Sequence, residues 1–162
     1  MELEGSVGPA QAAGGPAVKL ERVFPLEDPP VELPWGLSRS GVEALLRGTE
    51  IGSLPDGRLR VRCRLLGGLT TMIDMYFGPG SQRRLRQVEL LRKPVRRKRK
   101  EFEDLQRRLE AWLGPAEAMD SNPAARADGV APQQWRIGKL HVTHDYCQQT
   151  VPYEKVLFTW AG

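Results

Sequence analysis

Residues 58–65 read RLRVRCRL, in which arginine alternates with apolar residues at the two-residue period of a β-strand. A strand with this pattern places its four arginines on one face and its apolar side chains on the other. We therefore expect one face of the sheet to be cationic and the other to be buried. The arginines of this face are Arg58, Arg60, Arg62 and Arg64.

Turn residues bound this strand on both sides. The sequence LPDG at residues 54–57 precedes it, and Gly67-Gly68 follows it, so a hairpin is expected after residue 65. Alternating apolar residues predict the next strand over 69–77 and a third over 85–91. These three strands form an antiparallel meander.

Two segments with apolar residues three and four positions apart predict helices, one over 38–48 and one over 95–113. Ser38 can cap the first helix at its N-terminus. Two last strands are predicted over 135–147 and 153–160. The sequence therefore predicts an α+β fold, with a five-stranded antiparallel sheet and helices packed on one face, in the order α-β-β-β-α-β-β.

Residues 1–33 are predicted to be a flexible acidic arm, because they are rich in glycine, alanine and proline and show no sustained periodicity. The arm has six acidic and two basic residues, a net charge of −4. Its few apolar residues leave an alternative, in which a short extended piece docks on the body or on a partner. Residues 34–162 are predicted to form a single α+β domain with a flexible loop at about 114–134.

The apolar positions of these elements predict the core of the domain. We expect the following side chains to be mostly buried: Trp35, Leu45, Val61, Ile73, Phe77, Leu105, Leu109, Trp112, Ile137, Val156 and Phe158.

The composition and the N-terminal sequence argue against a membrane-spanning protein and against a secreted one. With 162 residues, 40% hydrophobic and 27% charged, the chain is typical of a small globular protein. No apolar run approaches the roughly 18 residues that a membrane span needs, so no membrane association is expected. The acidic N-terminus lacks the pattern of a secretory signal, which predicts a cytoplasmic location.

Histidine and cysteine do not form a catalytic or metal-binding pattern. His141 and His144 lie three apart on a predicted strand, which points them to opposite faces, and His144 and Cys147 lack a third catalytic partner. Cys63 and Cys147 are predicted to be free thiols, since a disulfide would need their strands to be neighbours. We predict no metal, no cofactor and no enzymatic activity.

Two carboxylates of the meander allow a different hypothesis. Asp74 and Glu89 would be a candidate acid-base pair only if both faced a cleft. Salt bridges to the neighbouring arginines are favoured instead.

Positive charge is concentrated between residues 58 and 108, which hold sixteen basic and five acidic residues. Part of this cluster lies at the start of the second helix, where cations oppose the helix dipole, so a functional reason is expected. The candidate binding residues are Arg58, Arg60, Arg62, Arg64, Arg96, Arg97, Arg99 and Lys100.

The hypothesis favoured by these observations is a non-catalytic, bacterial protein-binding module, of the adaptor, inhibitor, immunity or chaperone-like kind. Its cationic sheet face would bind an acidic segment of another protein, and the acidic arm could cover that face until the partner displaces it. The alternative is a nucleic-acid-binding protein that uses the basic surfaces of Arg58–Arg64 and Arg92–Lys100. A homodimer formed through a sheet edge is a third possibility.

Overall fold

The computed structural model describes residues 16–79, 83–92, 98–119, 131–147 and 153–162. In chain order the elements are α1 (Pro16–Leu20), β1 (Val23–Pro25), β2 (Glu32–Pro34), α2 (Arg39–Leu45), β3 (Ile51–Ser53), β4 (Leu59–Leu65), β5 (Leu69–Phe77), β6 (Leu85–Arg92), α3 (Lys98–Leu113), β7 (Glu117–Ala118), β8 (Gln133–Ile137), β9 (Leu140–Cys147) and β10 (Tyr153–Trp160).

Most of these strands belong to one eight-stranded antiparallel sheet. Its order is β3-β4-β5-β6-β10-β9-β8-β7, so it consists of two four-stranded meanders joined where β6 pairs with β10. Helix α3 lies between the two meanders in the sequence. Strands β1 and β2 pair with each other in a separate two-stranded sheet.

The hydrophobic core lies on one face of the large sheet. Alternate residues of β4 point into it, including Leu59 and Val61, and the same alternation continues across β5, β6, β9 and β10. Leu105 and Leu109 of α3 pack on this face, as does Val42 of α2. Among the described residues no helix combines the length and the apolar character that crossing a bilayer requires.

The predicted α+β fold, a five-stranded sheet with helices packed on one face, is wrong, because the described residues are mostly β, in one eight-stranded and one two-stranded sheet. The largest error is at residues 135–147. This segment forms two strands, β8 and β9, because a tight turn at Gly138-Lys139 reverses the chain and pairs Ile137 with Leu140. Gly138 has a φ of 55°, a conformation that glycine adopts without strain. A single glycine within an otherwise strand-like run was the signal for this turn.

The predicted order α-β-β-β-α-β-β is also wrong, because short strands lie outside the periodic segments. The edge strands β3 and β7 have three and two residues, too few to show an alternation, and β7 falls within the predicted loop at 114–134. The predicted strands at 58–65, 69–77, 85–91 and 153–160 correspond closely to β4, β5, β6 and β10.

The described part of the predicted arm packs against the body, as in the docking alternative. Leu20, Phe24 and Leu33 are at most 1% exposed and belong to the same hydrophobic cluster as the large sheet. The Nε1 group of Trp35 donates a hydrogen bond to the Leu20 carbonyl at 2.8 Å. Residues 20–33 therefore contribute to the core of the domain.

Most of the predicted core residues are buried, and Leu45 is the clear exception. Its relative exposure is 45%, because the two turns of α2 direct Val42 and Leu46 towards the core instead. Ser38 caps this helix as expected, since its Oγ accepts a hydrogen bond from the Gly41 amide. Phe77, Trp112 and Ile137 are partly buried at the margin of the core.

Candidate functional site

The four strand arginines lie on the face of the sheet opposite the core. The register of the β4–β5 hairpin places Arg60 opposite Asp74, Arg62 opposite Met72, and Arg64 opposite Thr70. We call this surface the arginine face. It consists of Arg58, Arg60, Arg62, Arg64, Thr70, Met72, Asp74, Tyr76, Glu89 and Leu91.

A buried carboxylate neutralises two of these arginines. Asp74 is 2% exposed, and its Oδ1 accepts a hydrogen bond from Nε of Arg60 at 2.6 Å. Its Oδ2 accepts from Arg60 Nη2 at 2.7 Å and from Arg58 Nη1 at 3.1 Å. These bonds to Asp74 raise the pKa of Arg60. Arg58 and Arg60 are therefore held in one geometry by a partner within the chain.

A second carboxylate lies directly opposite the first. Glu89 of β6 pairs with Asp74 across the strands, and such like charges repel unless each has its own partner. Tyr76 donates its hydroxyl to Glu89 Oε2 at 3.0 Å, and Lys155 Nζ lies 3.8 Å from the same oxygen. Burial raises the pKa of Tyr76. Asp74 thus forms the predicted ion pairs with neighbouring arginines, whereas the described partners of Glu89 are Tyr76 and Lys155.

Arg64 is held more loosely, by a residue of the predicted arm. Its Nε lies 3.8 Å from Glu27 Oε2, and this carboxylate also accepts hydrogen bonds from the amides of Gly67 at 2.5 Å and Gly68 at 2.9 Å. The three residues 66–68 all have positive φ, which turns adjacent amides towards one anion. Glu27 therefore mainly anchors the β4–β5 turn and leaves Arg64 half exposed.

Arg62 is the exposed cation of the face. Among the described residues no carboxylate lies within ion-pair distance of it. Its cross-strand neighbour Met72 is 41% exposed, an uncommon setting for a large apolar side chain, and Leu91 is half buried beside it. Two clefts of about 390 and 430 Å³ meet at Arg62 and Thr70. This end of the arginine face is therefore the part most accessible to a ligand.

The other predicted binding residues are not on this face. Arg99 and Lys100 are exposed in the first turn of α3, whose apolar side packs on the opposite face of the sheet. Arg99 forms an ion pair with Glu103 at 3.1 Å. Arg96 and Arg97 lie outside the described residues. A single surface joining all eight predicted residues is not seen among those that the structure describes.

His144 belongs to a buried polar network between α3 and the sheet. Its Nε2 lies 2.6 Å from Oε1 of Glu154, and its ring stacks on Phe102 with centroids 3.9 Å apart. The other carboxylate oxygen of Glu154 accepts from Arg92 Nε at 2.9 Å. Nδ1 of His144 lies 2.7 Å from Oε1 of Gln106. The imidazole is fully buried, so this network fastens α3 to the sheet.

The two histidines face opposite sides of β9, as the sequence predicted. His141 is half buried on the arginine-face side and forms a hydrogen bond with Gln134 at 3.0 Å. In the described ranges no three side chains of the metal-ligating types come together.

The protonation of the buried His144 should make the free energy of unfolding depend on pH. Burial lowers the pKa of His144 below its usual 6.5 and outweighs the hydrogen bond to Glu154, which raises it, and Arg92 opposes a second positive charge at this site. Below pH 6.5 the unfolded chain takes up a proton that the folded protein does not, so stability falls on acidification by up to about 1.4 kcal/mol per pH unit. We expect the free energy of urea unfolding to decrease between pH 6.5 and about pH 5.

The matched variant is His144→Gln, which has no titrating ring at this position while His141 and the carboxylates remain. The decrease in stability over the same pH interval should be smaller in this variant. An identical slope in both proteins would contradict a neutral, buried His144.

The cysteines cannot form an intramolecular disulfide. Cys63 is on β4 and Cys147 on β9, with β5, β6 and β10 between them, which separates the two strands by about 19 Å. Burial raises the pKa of the Cys63 thiol to about 12, so it is protonated and unreactive at neutral pH. The side chain of Cys147 lies outside the described residues.

Sequence reasoning did not select Met72 as a site residue, although the signal was present. Alternation places Met72, Asp74 and Tyr76 on one face of β5, which is the face that the strand arginines share once the hairpin forms. A large apolar side chain at that position points away from the core, which indicates a candidate contact residue.

Comparison with known proteins gives no relative. No family model, no curated protein and no solved structure matches this chain.

Proposed function

We propose that the protein is a non-catalytic binding module whose arginine face binds an acidic segment of another protein. The observation that favours this is the exposed pair of Arg62 and Met72, a cation without a carboxylate partner in the described ranges beside an exposed apolar side chain. Arginine and methionine are both enriched in protein interfaces. A cytoplasmic setting remains a prediction.

The neighbouring ion pairs support this use of the face. Asp74 holds Arg58 and Arg60 in place, so these side chains form a rigid border and lose little entropy when a partner binds. Arg62 and the half-exposed Arg64 provide positive charge for the partner's carboxylates, and Met72 with Leu91 provides apolar contact. An extended segment with acidic and apolar residues in alternation is complementary to this arrangement.

The other two hypotheses have less support. Homodimerisation through a sheet edge needs a long unpaired strand, whereas β3 and β7 have three and two residues. Nucleic acid needs several free cations, and Arg58, Arg60 and Arg64 all have carboxylates beside them. Tyr76, the aromatic residue of the arginine face, already bonds Arg58 and Glu89, which limits base stacking.

The test is charge reversal at the centre of the proposed interface. Arg62→Glu should weaken partner binding at least about tenfold, because it places a carboxylate against an acidic segment. The partner would first be captured from a lysate of the source cells after nuclease treatment, and its affinity for purified variants would then be measured by calorimetry.

Arg22→Glu is the matched control, since Arg22 is an exposed arginine outside the arginine face. It should bind the partner as the wild type does. Equal loss in both variants would mean that net charge alone matters, and no loss in either would place the interface elsewhere. Recovery only of nucleic acid, lost after nuclease treatment and at moderate salt, would favour the alternative function.

A further inference from the structure

A second cationic site lies at the opposite end of the fold's first meander, where the segment before α2 meets the start of β6. The cleft has a volume of about 660 Å³ and is lined by Ser38, Arg39, Ser40, Glu43, Arg83 and Arg84. We call it the arginine cleft. None of these residues belongs to the arginine face, so an inference about it is independent of the proposed function.

Backbone hydrogen bonds fix the two walls of the cleft. The Arg39 amide donates to the Arg83 carbonyl at 3.1 Å, and the Leu85 amide donates to the Leu37 carbonyl at 2.8 Å. The Gly36 amide in turn donates to the Leu85 carbonyl at 2.9 Å. The two segments thus pair like short antiparallel strands. This pairing fixes the backbone positions from which the arginine side chains extend. A site on such a rigid frame needs little rearrangement to bind.

The guanidinium of Arg39 is oriented by three neighbours. Its Nε donates to Glu43 at 3.1 Å, its Nη1 to the Gly57 carbonyl at 2.9 Å, and its Nη2 to Ser53 Oγ at 3.1 Å. A guanidinium has five N–H groups, so these bonds leave one donor on each terminal nitrogen for a ligand. The side chain is both fixed in place and able to donate.

A second guanidinium converges on the same place. A Cβ atom at Gly57 would lie 3.6 Å from Nη1 of Arg83 and 3.8 Å from Nη1 of Arg39. Among the described residues Arg83 has no ion pair, and Glu43 is the carboxylate that lines the cleft. Arg84, which donates to the Gly36 carbonyl at 3.0 Å, is a third cation. Among the described residues that line the cleft, the guanidinium groups of Arg39 and Arg83 exceed the single carboxylate of Glu43 in charge, an arrangement that favours an anion.

We propose that the arginine cleft binds a phosphate group, either inorganic phosphate or the phosphate monoester of a small metabolite. The planar, two-pronged donor set of arginine matches a tetrahedral oxyanion, which has several acceptor oxygens at the spacing of the prongs. The hydroxyls of Ser38 and Ser40 lie 3.2 Å apart at the same wall, and since one donates to the other, the pair adds one further neutral donor. A cleft of this volume is larger than a phosphate ion and leaves space for the body of a small ligand.

The experiment is a calorimetric titration of the full chain with inorganic phosphate, with glycerol 3-phosphate and with acetate, at constant ionic strength. Arg83→Gln removes the cation without a described partner, and because Arg83 is exposed the variant should melt at the temperature of the wild type. We expect saturable binding of a phosphate probe by the wild type and at least about tenfold weaker binding by Arg83→Gln.

Arg47→Gln is the control, because Arg47 is an exposed arginine that follows α2 and does not line the cleft. It should bind phosphate as the wild type does. Tighter binding of glycerol 3-phosphate than of inorganic phosphate identifies an organic ligand, and the reverse identifies the free ion. The proposal is overturned if no phosphate probe saturates the protein, if acetate binds equally well, or if Arg83→Gln and Arg47→Gln bind alike.

Discussion

Phe24→Ala is expected to lower the free energy of unfolding by about 3–5 kcal/mol, although Phe24 lies in a segment whose composition is typical of a flexible arm. The ring is fully buried and packs edge-on against Phe158 and Trp35, with centroids 5.0 and 5.9 Å away. Removing it leaves a cavity between the N-terminal segment and β10. Urea unfolding followed by tryptophan fluorescence would measure the change.

Two leucines, one buried in the N-terminal segment and one exposed on α2, provide a matched test of how much this segment contributes to stability. Leu33 is fully buried and Leu45 is 45% exposed, so Leu33→Ala should cost about 2–5 kcal/mol and Leu45→Ala much less. Because alanine is a good helix former, the change in α2 should be close to neutral. Phe24→Ala and Leu33→Ala variants as stable as the wild type would show that residues 20–33 are dispensable for the fold.

The contribution of this segment to the core could not be predicted from its own sequence. Its apolar residues are separated by prolines and acids at irregular spacing, so neither the helical nor the strand period appears. What buries Phe24 is the shape of the core formed by distant residues such as Phe158. Only tertiary packing distinguishes such a residue from an exposed one in a linker.

The elements that the sequence predicted well are the long periodic ones. Strand β5 spans nine residues and β4 seven, enough for alternation to identify them, and Ser38 identified the start of α2. The two-residue turn between β8 and β9 and the edge strands β3 and β7 are too short to leave a periodic signal. Errors in strand number therefore arose at turns and edges, where few residues determine the structure.

The sequence predicted which arginines share the arginine face, but it did not predict which of them are neutralised by a carboxylate. The alternation at residues 58–65 placed four arginines on one side, and this agrees with β4. Which of them remain accessible depends on the register, since Asp74 opposes Arg60 whereas Met72 opposes Arg62. A shift by two residues would have freed Arg60 and neutralised Arg62, so the accessible cation follows from the turn at residues 66–68.

Glu154→Ala is expected to be among the most destabilising single substitutions, with a loss of about 3–5 kcal/mol. Glu154 is fully buried on β10, and its two oxygens bind different partners, His144 Nε2 at 2.6 Å and Arg92 Nε at 2.9 Å. Without the carboxylate, the guanidinium of Arg92 loses its counter-ion within the protein and the imidazole loses an acceptor. Thermal and urea unfolding would measure the loss.

One further variant separates the charge of Glu154 from its size, and another is a control at an exposed glutamate. Glu154→Gln keeps a hydrogen-bond acceptor of the same shape without the charge, so it should be less stable than the wild type and more stable than Glu154→Ala. Glu117→Ala removes an exposed glutamate from strand β7 and should change stability by less than about 0.5 kcal/mol. Because Arg92 Nη2 also donates to the Glu101 carbonyl at 2.8 Å, loss of Glu154 should loosen the first turn of α3, seen as faster exchange of the amides that donate to the carbonyls of this turn. If Glu154→Ala were as stable as Glu117→Ala, the network would contribute no net stability, and α3 would be held to the sheet by its apolar contacts alone.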